Sequence, residues 1–215
     1  MTKTLSALAA LALAAALPVA HAEGSAEAGA TKAATCIACH GPNGNSANPE
    51  WPNLAGQNAA YIAEQLKQFR AGQRSASPNG MVMTAQAAAL TDEDIADIGA
   101  YFATQTPSGL EADPSYWKAG EALYRGGNIA RGLPACMACH GPVGRGNPAA
   151  GYPALRAQHS VYTVQQLTAY AGSARYKDAG GASHDIRNAH MMETIAKQLT
   201  AEDIRDLASY IQGMR

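Results

Sequence analysis

The strongest constraint on this chain is a five-residue motif that occurs twice, as CIACH at residues 36–40 and as CMACH at residues 136–140. The two copies contain all 4 cysteines of the 215-residue chain, and a histidine follows the second cysteine of each copy. Any fold for this sequence must explain what these sulfur atoms hold and why the arrangement is repeated.

The motif belongs to a longer internal repeat, which is the feature to establish before any local structure is predicted. Three blocks occur in the same order in both halves: CIACHGPNGNS matches CMACHGPVGRG, WPNLAGQNAAYIAEQLKQF matches YPALRAQHSVYTVQQLTAY, and LTDEDIADIGAYF matches LTAEDIRDLASYI. The second half has the longer loop, at residues 172–190 against 72–80. We therefore expect two copies of one domain, at 23–106 and 116–215, joined by a linker at 107–115 that is rich in Pro, Ser, Gly and Asp.

Each copy has the pattern of helices joined by irregular loops. Apolar residues recur at helical spacing, and the last helix of each copy opens with a capping box, Thr91 with Asp94 and Thr200 with Asp203. No segment alternates apolar and polar residues as a half-buried strand does. The sequence predicts an all-α protein with two tandem domains, each wrapped around one cofactor.

Residues 1–22 have the pattern of a cleaved secretory signal peptide. A lysine near the start precedes a Leu/Ala run, and Ala20-His21-Ala22 forms an A-x-A cleavage site. The alternative is an uncleaved membrane anchor, for which the apolar run is short. We expect a periplasmic protein with no transmembrane segment after cleavage, for which peripheral association with a membrane stays open.

The two halves differ in charge. Residues 23–113 contain ten Asp/Glu and four Lys/Arg, a net charge of −6, whereas residues 114–215 contain seven and eleven, a net charge of +4. Such a dipole orients a protein as it approaches charged partners. The basic side chains are scattered through the second half, so nucleic acid is not an expected partner.

The cysteine pairs could have four chemical roles. A disulfide within C-x-x-C closes a very small loop and constrains little, and a thioredoxin-type dithiol needs a βαβ framework that the helical flanks do not offer. A zinc ion bound by both pairs would have to straddle the domain boundary. The fourth hypothesis is that the cysteines attach a c-type haem covalently, for which C-x-x-C-H is the signature.

The haem hypothesis gives a role to both the cysteines and the histidines of the two motifs. Cys36, Cys39, Cys136 and Cys139 would form thioethers with two haems, and His40 and His140 would be axial ligands of the iron atoms. It also addresses the poor supply of core side chains, because the chain has only 2 Phe and 2 Trp. The apolar face of a haem can take the place of large side chains in a small domain.

A methionine is the expected ligand on the other side of each iron. Met83 and Met192 each lie seven residues before the leucine that opens the last block, whereas Met81 would align with His190. Met83 and Met192 are therefore the candidates over Met81 and Met191, with core packing as their alternative role.

Other residues bear on the same two sites. His190 or His184 could replace methionine in the second copy. Pro52 and Pro153 are candidates for orienting the axial histidines, since a backbone carbonyl near each would accept the second N–H of the imidazole. His159 is expected in a polar role near the start of the middle helix.

The first copy resembles one domain of the cytochrome c4 family in its motifs AEAG, CIACHGPNGNS, WPNLAGQ, MVM and LTDEDIADIGAYF. The counterparts of these motifs in the second copy resemble the second domain of that family. The resemblance covers almost the whole mature chain and implies two class I cytochrome c folds related by a pseudo-twofold axis, with the haem propionate edges facing each other. It implies the axial pairs His40–Met83 and His140–Met192, and close helix crossings at Gly29 and Gly120 against Tyr101 and Tyr210. The segment NAHMM departs from its counterpart GMVM.

The function expected from these features is electron transport without catalysis, so no catalytic residue is assigned. Single electrons would pass from a membrane quinol-oxidising complex or a dehydrogenase to a terminal oxidase or reductase, through iron atoms whose axial positions are both filled. The alternatives are the haem subunit of a larger dehydrogenase, such as a flavocytochrome that oxidises sulfide, and a di-haem peroxidase.

Overall fold

The computed structural model describes residues 24–186 and 188–215, and five helices in the first half are followed by five in the second. The helices are α1 (Ala26–Lys32), α2 (Ile37–His40), α3 (Ala59–Arg70), α4 (Pro78–Ala87), α5 (Asp92–Thr104), α6 (Trp117–Gly126), α7 (Met137–His140), α8 (Ser160–Ala171), α9 (Ala189–Ala196) and α10 (Ala201–Gly213). Within the described ranges the only β-structure is three isolated bridges. The predicted all-α fold class is confirmed.

The predicted signal peptide, residues 1–22, lies outside the described residues. In the part of the chain that the structure covers, no helix has the length and apolar character needed to cross a membrane. The prediction of an exported protein therefore rests on the sequence of the first 22 residues.

Two helices begin where the sequence predicts and two others were missed. The capping boxes at Thr91 and Thr200 both form, with each threonine accepting from the backbone N–H three residues later. The methionine-bearing segments, for which no helix was predicted, form the short helices α4 and α9. Ser77 caps α4 by accepting from the N–H of Gly80, and Pro78 occupies its first turn, which is a start signal that the sequence already contains.

The first and last helices of each domain cross at a glycine. A Cβ at Gly29 would lie 2.0 Å from the carbonyl oxygen of Asp97 and 2.8 Å from Cβ of Tyr101. A Cβ at Gly120 would lie 2.0 Å from a backbone oxygen of α10 and 2.9 Å from Cβ of Tyr210. No other residue type fits these crossings without displacing a backbone, so the expected close approach is confirmed.

Ion pairs reinforce the helix contacts differently in the two domains. Lys32 of α1 lies 2.7 Å from Oδ2 of the buried Asp97 and 2.9 Å from Oδ1 of Asp94. The hydrogen bond from Lys32 lowers the pKa of Asp94 to about 2. In the second domain Arg131 donates to Asp203, the equivalent of Asp94, at 2.6 Å. The repeat thus retains the acidic position but supplies its cation from another segment.

The two domain cores are filled by different side chains at equivalent positions. In the first domain the fully buried pair is Ala33 and Phe102, whereas Tyr124 and Ile211 occupy the equivalent positions in the second and are 0% and 3% exposed. The first core thus pairs a small side chain with an aromatic ring, and the second pairs an aromatic ring with a branched aliphatic side chain. Because close-packed interiors depend on the shape of each side chain, the two cores are packed differently.

Met214 fills a place that Phe102 fills in the first domain. A Cβ at Gly44 would lie 2.7 Å from Cδ1 of Phe102, and a Cβ at the equivalent Gly144 would lie 2.5 Å from Sδ of Met214. Met214 is 6% exposed and belongs to the core cluster of the second domain. The penultimate residue of the chain therefore has a packing role that its position near the terminus did not suggest.

The two domains contact through reciprocal glutamine side chains. Gln57 accepts from the N–H of Ala154 and donates to its carbonyl, both at 2.8 Å. Gln158, the repeat equivalent of Gln57, accepts from the N–H of Asn53 at 2.9 Å and donates to its carbonyl at 3.0 Å. Mutual contacts of this kind are produced by a twofold axis, so the predicted pseudo-twofold arrangement is confirmed.

Further hydrogen bonds bury the centre of this interface. Asn53 accepts from the N–H of Ser46 at 2.8 Å and donates to the carbonyl of Ala157 at 2.7 Å. His159 precedes α8, is 7% exposed, and donates through Nε2 to the carbonyl of Ser46 at 2.9 Å. The polar role expected for His159 is confirmed, and it lies across the domain boundary.

The segment between α5 and α6 is hydrogen-bonded to both domains. Asn45 donates to the carbonyl of Thr106 at 3.1 Å, and Gln212 donates to the carbonyl of Glu111 at 2.7 Å. The N–H of Asp113 donates to Ser209 at 2.9 Å. These bonds anchor both ends of the predicted linker, whose bounds of 107–115 stay a prediction.

We predict that Gly29→Ala lowers the free energy of unfolding of the haem-loaded protein by about 1–3 kcal/mol or more, because the added methyl group overlaps the backbone of α5. The matched control is Gly126→Ala, where a Cβ meets no atom within 4 Å at the end of α6. Chemical denaturation followed by circular dichroism measures both. Equal stability of the two variants would contradict the close crossing.

Candidate haem-binding sites

Each C-x-x-C-H motif forms a single helical turn. The N–H of His40 donates to the carbonyl of Cys36 at 2.9 Å, and the N–H of Gly41 donates to that of Ile37 at 2.9 Å. Residues three and four apart share one face of a helix, so Cys36, Cys39 and His40 lie on the same side. The second motif has the same bonds, and all four thiols are free.

Both motif histidines are buried and held through the same ring nitrogen. Nδ1–H of His40 donates to the carbonyl of Pro52 at 2.9 Å, and Nδ1–H of His140 donates to that of Pro153 at 2.9 Å. His40 and His140 are only 6% and 7% exposed to solvent. This bond fixes the tautomer, so that Nε2 carries the lone pair that a metal ion would use.

Burial sets the protonation state of the motif side chains. It lowers the pKa of His40 and His140, which keeps both imidazoles neutral and able to bind a metal ion. It raises the pKa of Cys36, and that of Cys136 to about 11. A reactive dithiol requires a cysteine with a lowered pKa, so these positions do not suit thioredoxin-type chemistry.

The two cysteine pairs do not come together. Among residues 24–186 and 188–215, no group of three or more His, Cys, Asp and Glu side chains is arranged to hold a metal ion. A zinc site shared by both motifs has no support in this arrangement. Each motif instead packs against its own core, Cys36 in the first domain and Cys136 in the second.

The methionines of α4 and α9 differ in exposure. Met83 is half-buried and packs against the first core cluster, whereas Met81 is 51% exposed. Met192 is half-buried, whereas Met191 is 41% exposed and its Sδ lies 3.8 Å from the hydroxyl of Tyr152. In both helices the methionine selected from the repeat is the more buried of the two.

The two histidines considered as competing ligands are occupied elsewhere. Nε2 of His184 lies 3.2 Å from Oδ2 of Asp178, and Nε2 of His190 lies 2.9 Å from Oδ1 of Asp185. The His190 side chain is 76% exposed. Both pairs lie in or beside the longer loop of the second domain, and each imidazole binds a carboxylate.

Known proteins share this arrangement. The sequence profile of the cytochrome c family matches residues 26–106 and 118–215. The chain is 44% identical to cytochrome c4 of Azotobacter vinelandii over 201 residues, which cover 91% of this chain and 92% of that protein. The chain belongs to the cytochrome c4 family. Its cofactors are accordingly two covalently attached c-type haems, and it is a di-haem electron carrier and not an enzyme.

Two further similarities extend this result. The crystal structure of reduced recombinant cytochrome c4 from Pseudomonas stutzeri has a TM-score of 0.78 and 43% identity, covering 89% of this chain and 100% of that chain. A thiosulfate dehydrogenase electron acceptor of Thiomonas intermedia (strain K12) is 36% identical over 162 residues, 72% of this chain and 71% of that protein. The cytochrome c4 fold thus spans both domains and not only the motifs.

The residues of the structure fit two haems. Each domain offers two free thiols and a neutral imidazole on one helical face, and the thiols are only partly covered by protein. One pair of side chains near the domain boundary was missed from the sequence: Arg74 and Arg175 are equivalent positions of the repeat and lie among aromatic rings. A search of the repeat alignment for matched cations would have found them.

We predict that replacing Cys36, Cys39, Cys136 and Cys139 with alanine abolishes cooperative unfolding, because the protein side chains alone make small cores. Thermal unfolding followed by circular dichroism and limited proteolysis measure this. As a control, replacing only Cys36 and Cys39 should expose sites for proteolysis mainly in the first domain. A protease-resistant, sharply melting haem-free variant would contradict the prediction.

Proposed function

We propose that the chain binds one haem through Cys36 and Cys39 with His40 and Met83 as axial ligands, and the other through Cys136 and Cys139 with His140 and Met192. The domains carrying them would be residues 23–106 and 116–215. The observation that carries this proposal is the repeated bond from Nδ1–H of a buried motif histidine to the carbonyl of Pro52 or Pro153.

The proximal side is supported by the orientation of the histidines. An imidazole that donates Nδ1–H to a carbonyl becomes more basic at Nε2 and cannot rotate without losing that bond. His40 and His140 follow directly after the second cysteine of each pair, so the imidazole and the two thiols that would hold the porphyrin belong to the same helical turn. Pro52 and Pro153 act by positioning the ligand and not by contacting the iron.

The distal side is supported by burial. A thioether ligand must face the interior of its domain, and Met83 packs against the first core cluster while Met81 points into solvent. Met192 is less exposed than Met191, and the pairing of His190 with Asp185 leaves its imidazole at the surface. These features favour two histidine–methionine haems over a bis-histidine haem.

Electron transfer without bond chemistry follows from these ligands. A bound haem supplies a one-electron couple, Fe(III)/Fe(II), whose potential the axial methionine raises. With a protein ligand on each face, no substrate reaches the metal unless Met83 or Met192 moves away. The buried histidines and core methionines therefore serve to keep the coordination unchanged while single electrons pass through the haem edge.

The place and partners of this reaction are inferred from the sequence. Residues 1–22 favour export to the periplasm. The partners would be redox proteins, with a membrane quinol-oxidising complex or a dehydrogenase as donor and a terminal oxidase as acceptor. The charges of −6 and +4 on the two halves could direct each domain to a partner of opposite charge.

A second candidate role is that of an electron-accepting subunit bound to a dehydrogenase. The similarity to the thiosulfate dehydrogenase electron acceptor of Thiomonas intermedia favours it. Both roles use the same haem chemistry and differ in whether the chain travels between partners or stays with one. The distinction is therefore one of assembly and not of the metal sites.

We predict that Met83→Ala and Met192→Ala each remove half of the weak long-wavelength absorption band that reports iron–sulfur bonding in the oxidised protein. The neighbouring substitutions Met81→Ala and Met191→Ala are the matched controls and should leave the band unchanged, because both side chains are exposed. Visible spectra recorded at controlled potential measure the effect. Loss of the band in Met191→Ala but not in Met192→Ala would reverse the assignment in the second domain.

We also predict that the native protein takes up two electrons per chain, binds carbon monoxide negligibly when reduced, and does not turn over hydrogen peroxide. The physical reason is that both iron atoms are saturated by protein ligands. Potentiometric titration, reduced-minus-carbonyl spectra and a peroxidase assay measure these properties. A high-spin five-coordinate spectrum with peroxide turnover would favour the peroxidase, and stable co-purification with a dehydrogenase would favour the subunit role.

A further inference from the structure

Two arginines occupy equivalent positions on the two sides of the domain boundary. Cζ of Arg74 lies 4.3 Å from the ring centre of Phe69, and Cζ of Arg175 lies 4.9 Å from the ring centre of the equivalent Tyr170. Each arginine thus lies over an aromatic ring of the middle helix in its own domain. The contact has been retained in both copies although the ring itself differs.

Each arginine also reaches across to the other domain. Nη2 of Arg175 donates to Oε1 of Gln65 at 3.3 Å, and Nη2 of Arg74 lies 3.5 Å from Oε1 of the equivalent Gln166. Arg74 donates through Nη1 to the same oxygen of Gln65 at 2.5 Å. Because one oxygen accepts from both side chains, the two guanidinium groups are close neighbours of like charge.

Arg175 is the more constrained of the two. It is 6% exposed and also donates through Nη2 to the hydroxyl of Tyr61 at 3.0 Å. Its Nε and Nη1 are buried and have no acceptor among the described residues, and neither does Nε of Arg74. No carboxylate forms an ion pair with either arginine in the described part of the chain.

Two neighbouring cations with unpartnered N–H groups are costly to bury. Removing an ion from water costs several kcal/mol unless an opposite charge and hydrogen bonds replace the solvent. Glutamine, tyrosine and aromatic rings supply hydrogen bonds and polarisable surface but no negative charge. The arrangement is that of an anion site with a planar donor fork, the geometry that suits a carboxylate.

We propose that Arg175 and Arg74 bind haem propionate carboxylates at the domain boundary, an inference that rests on the proposed attachment of the haems to the two cysteine motifs. A c-type haem carries two propionates, and each domain places one arginine at the boundary. The site explains why charged donors with unpartnered N–H groups occur at a contact whose other hydrogen bonds are largely those of glutamine, asparagine and backbone groups.

The arginines also tune the electron-transfer reaction. The oxidised haem has one more positive charge than the reduced haem, so a fixed guanidinium next to its propionates disfavours oxidation and raises the reduction potential. Because Gln65 binds both arginines, a change at one haem edge is felt at the other. Arg175 and Arg74 are therefore positioning residues that act through the propionates and not through the iron ligands.

The test uses the haem-loaded protein and Arg175→Gln. We expect a decrease of at least tenfold in the reduction equilibrium constant of at least one haem, which is about 59 mV for a one-electron couple. Arg175→Lys should retain most of the wild-type potential because it keeps the charge. The propionate bending mode in the resonance Raman spectrum should shift in both variants, because each changes the hydrogen bonds to the carboxylates.

Arg205→Gln is the matched control, since it removes a positive charge from a surface-exposed guanidinium that pairs with Asp206 on α10. If Arg175→Gln does not fold, Arg74→Gln at the half-buried position provides the same readouts. Folded variants with wild-type potentials and Raman spectra would show a purely structural role and overturn the proposal. Potentials that follow chloride concentration at constant ionic strength would show a bulk anion in the site and also overturn it.

Failure of this inference is distinct from failure of the proposed function. Peroxide turnover or carbon monoxide binding would contradict the electron-carrier role without altering the propionate vibrations. Conversely, unchanged potentials in Arg175→Gln and Arg74→Gln would leave histidine–methionine ligation untouched. The two sets of measurements therefore test the metal ligands and the propionate site separately.

Discussion

The bond from Nδ1–H of each buried motif histidine to a proline carbonyl is the constraint on which the two sites depend. It joins the C-x-x-C-H turn to the segment that precedes the middle helix, His40 to Pro52 and His140 to Pro153. The glutamines at the domain contact follow within a few residues of these prolines, so the same segments orient the imidazole and join the domains. A shift in either proline segment would therefore disturb a motif histidine and the interface together.

Much of this structure could be predicted because the chain contains its own comparison. The C-x-x-C-H motif identified the cofactor, and alignment of the copies separated Met83 from Met81 and Met192 from Met191. The close helix crossings at Gly29 and Gly120 were implied by the resemblance to the cytochrome c4 family. These features depend on short motifs and fixed spacing, which a sequence displays directly.

The features that were missed depend on tertiary contacts. Helices α4 and α9 are 10 and 8 residues long and were not predicted, although Ser77 and Pro78 signal the start of the first. The burial of Met214 follows from a gap beside Gly144, and no local pattern reveals a gap. The sequence alone does not indicate that aromatic rings and a second domain surround Arg74 and Arg175.

The reciprocal glutamines have a consequence for how a two-domain chain of this kind can arise. Each domain has, on one surface, a glutamine and a backbone segment that binds the glutamine of the other domain. The first domain contributes Gln57 and Asn53, and the second contributes Gln158 and Ala154. That surface is self-complementary, so two separate single domains could use it to form a symmetric dimer. Covalent linkage raises the local concentration of one half around the other and makes the contact independent of dilution. Once joined, the halves are free to diverge, as the different core residues and the unequal loops show.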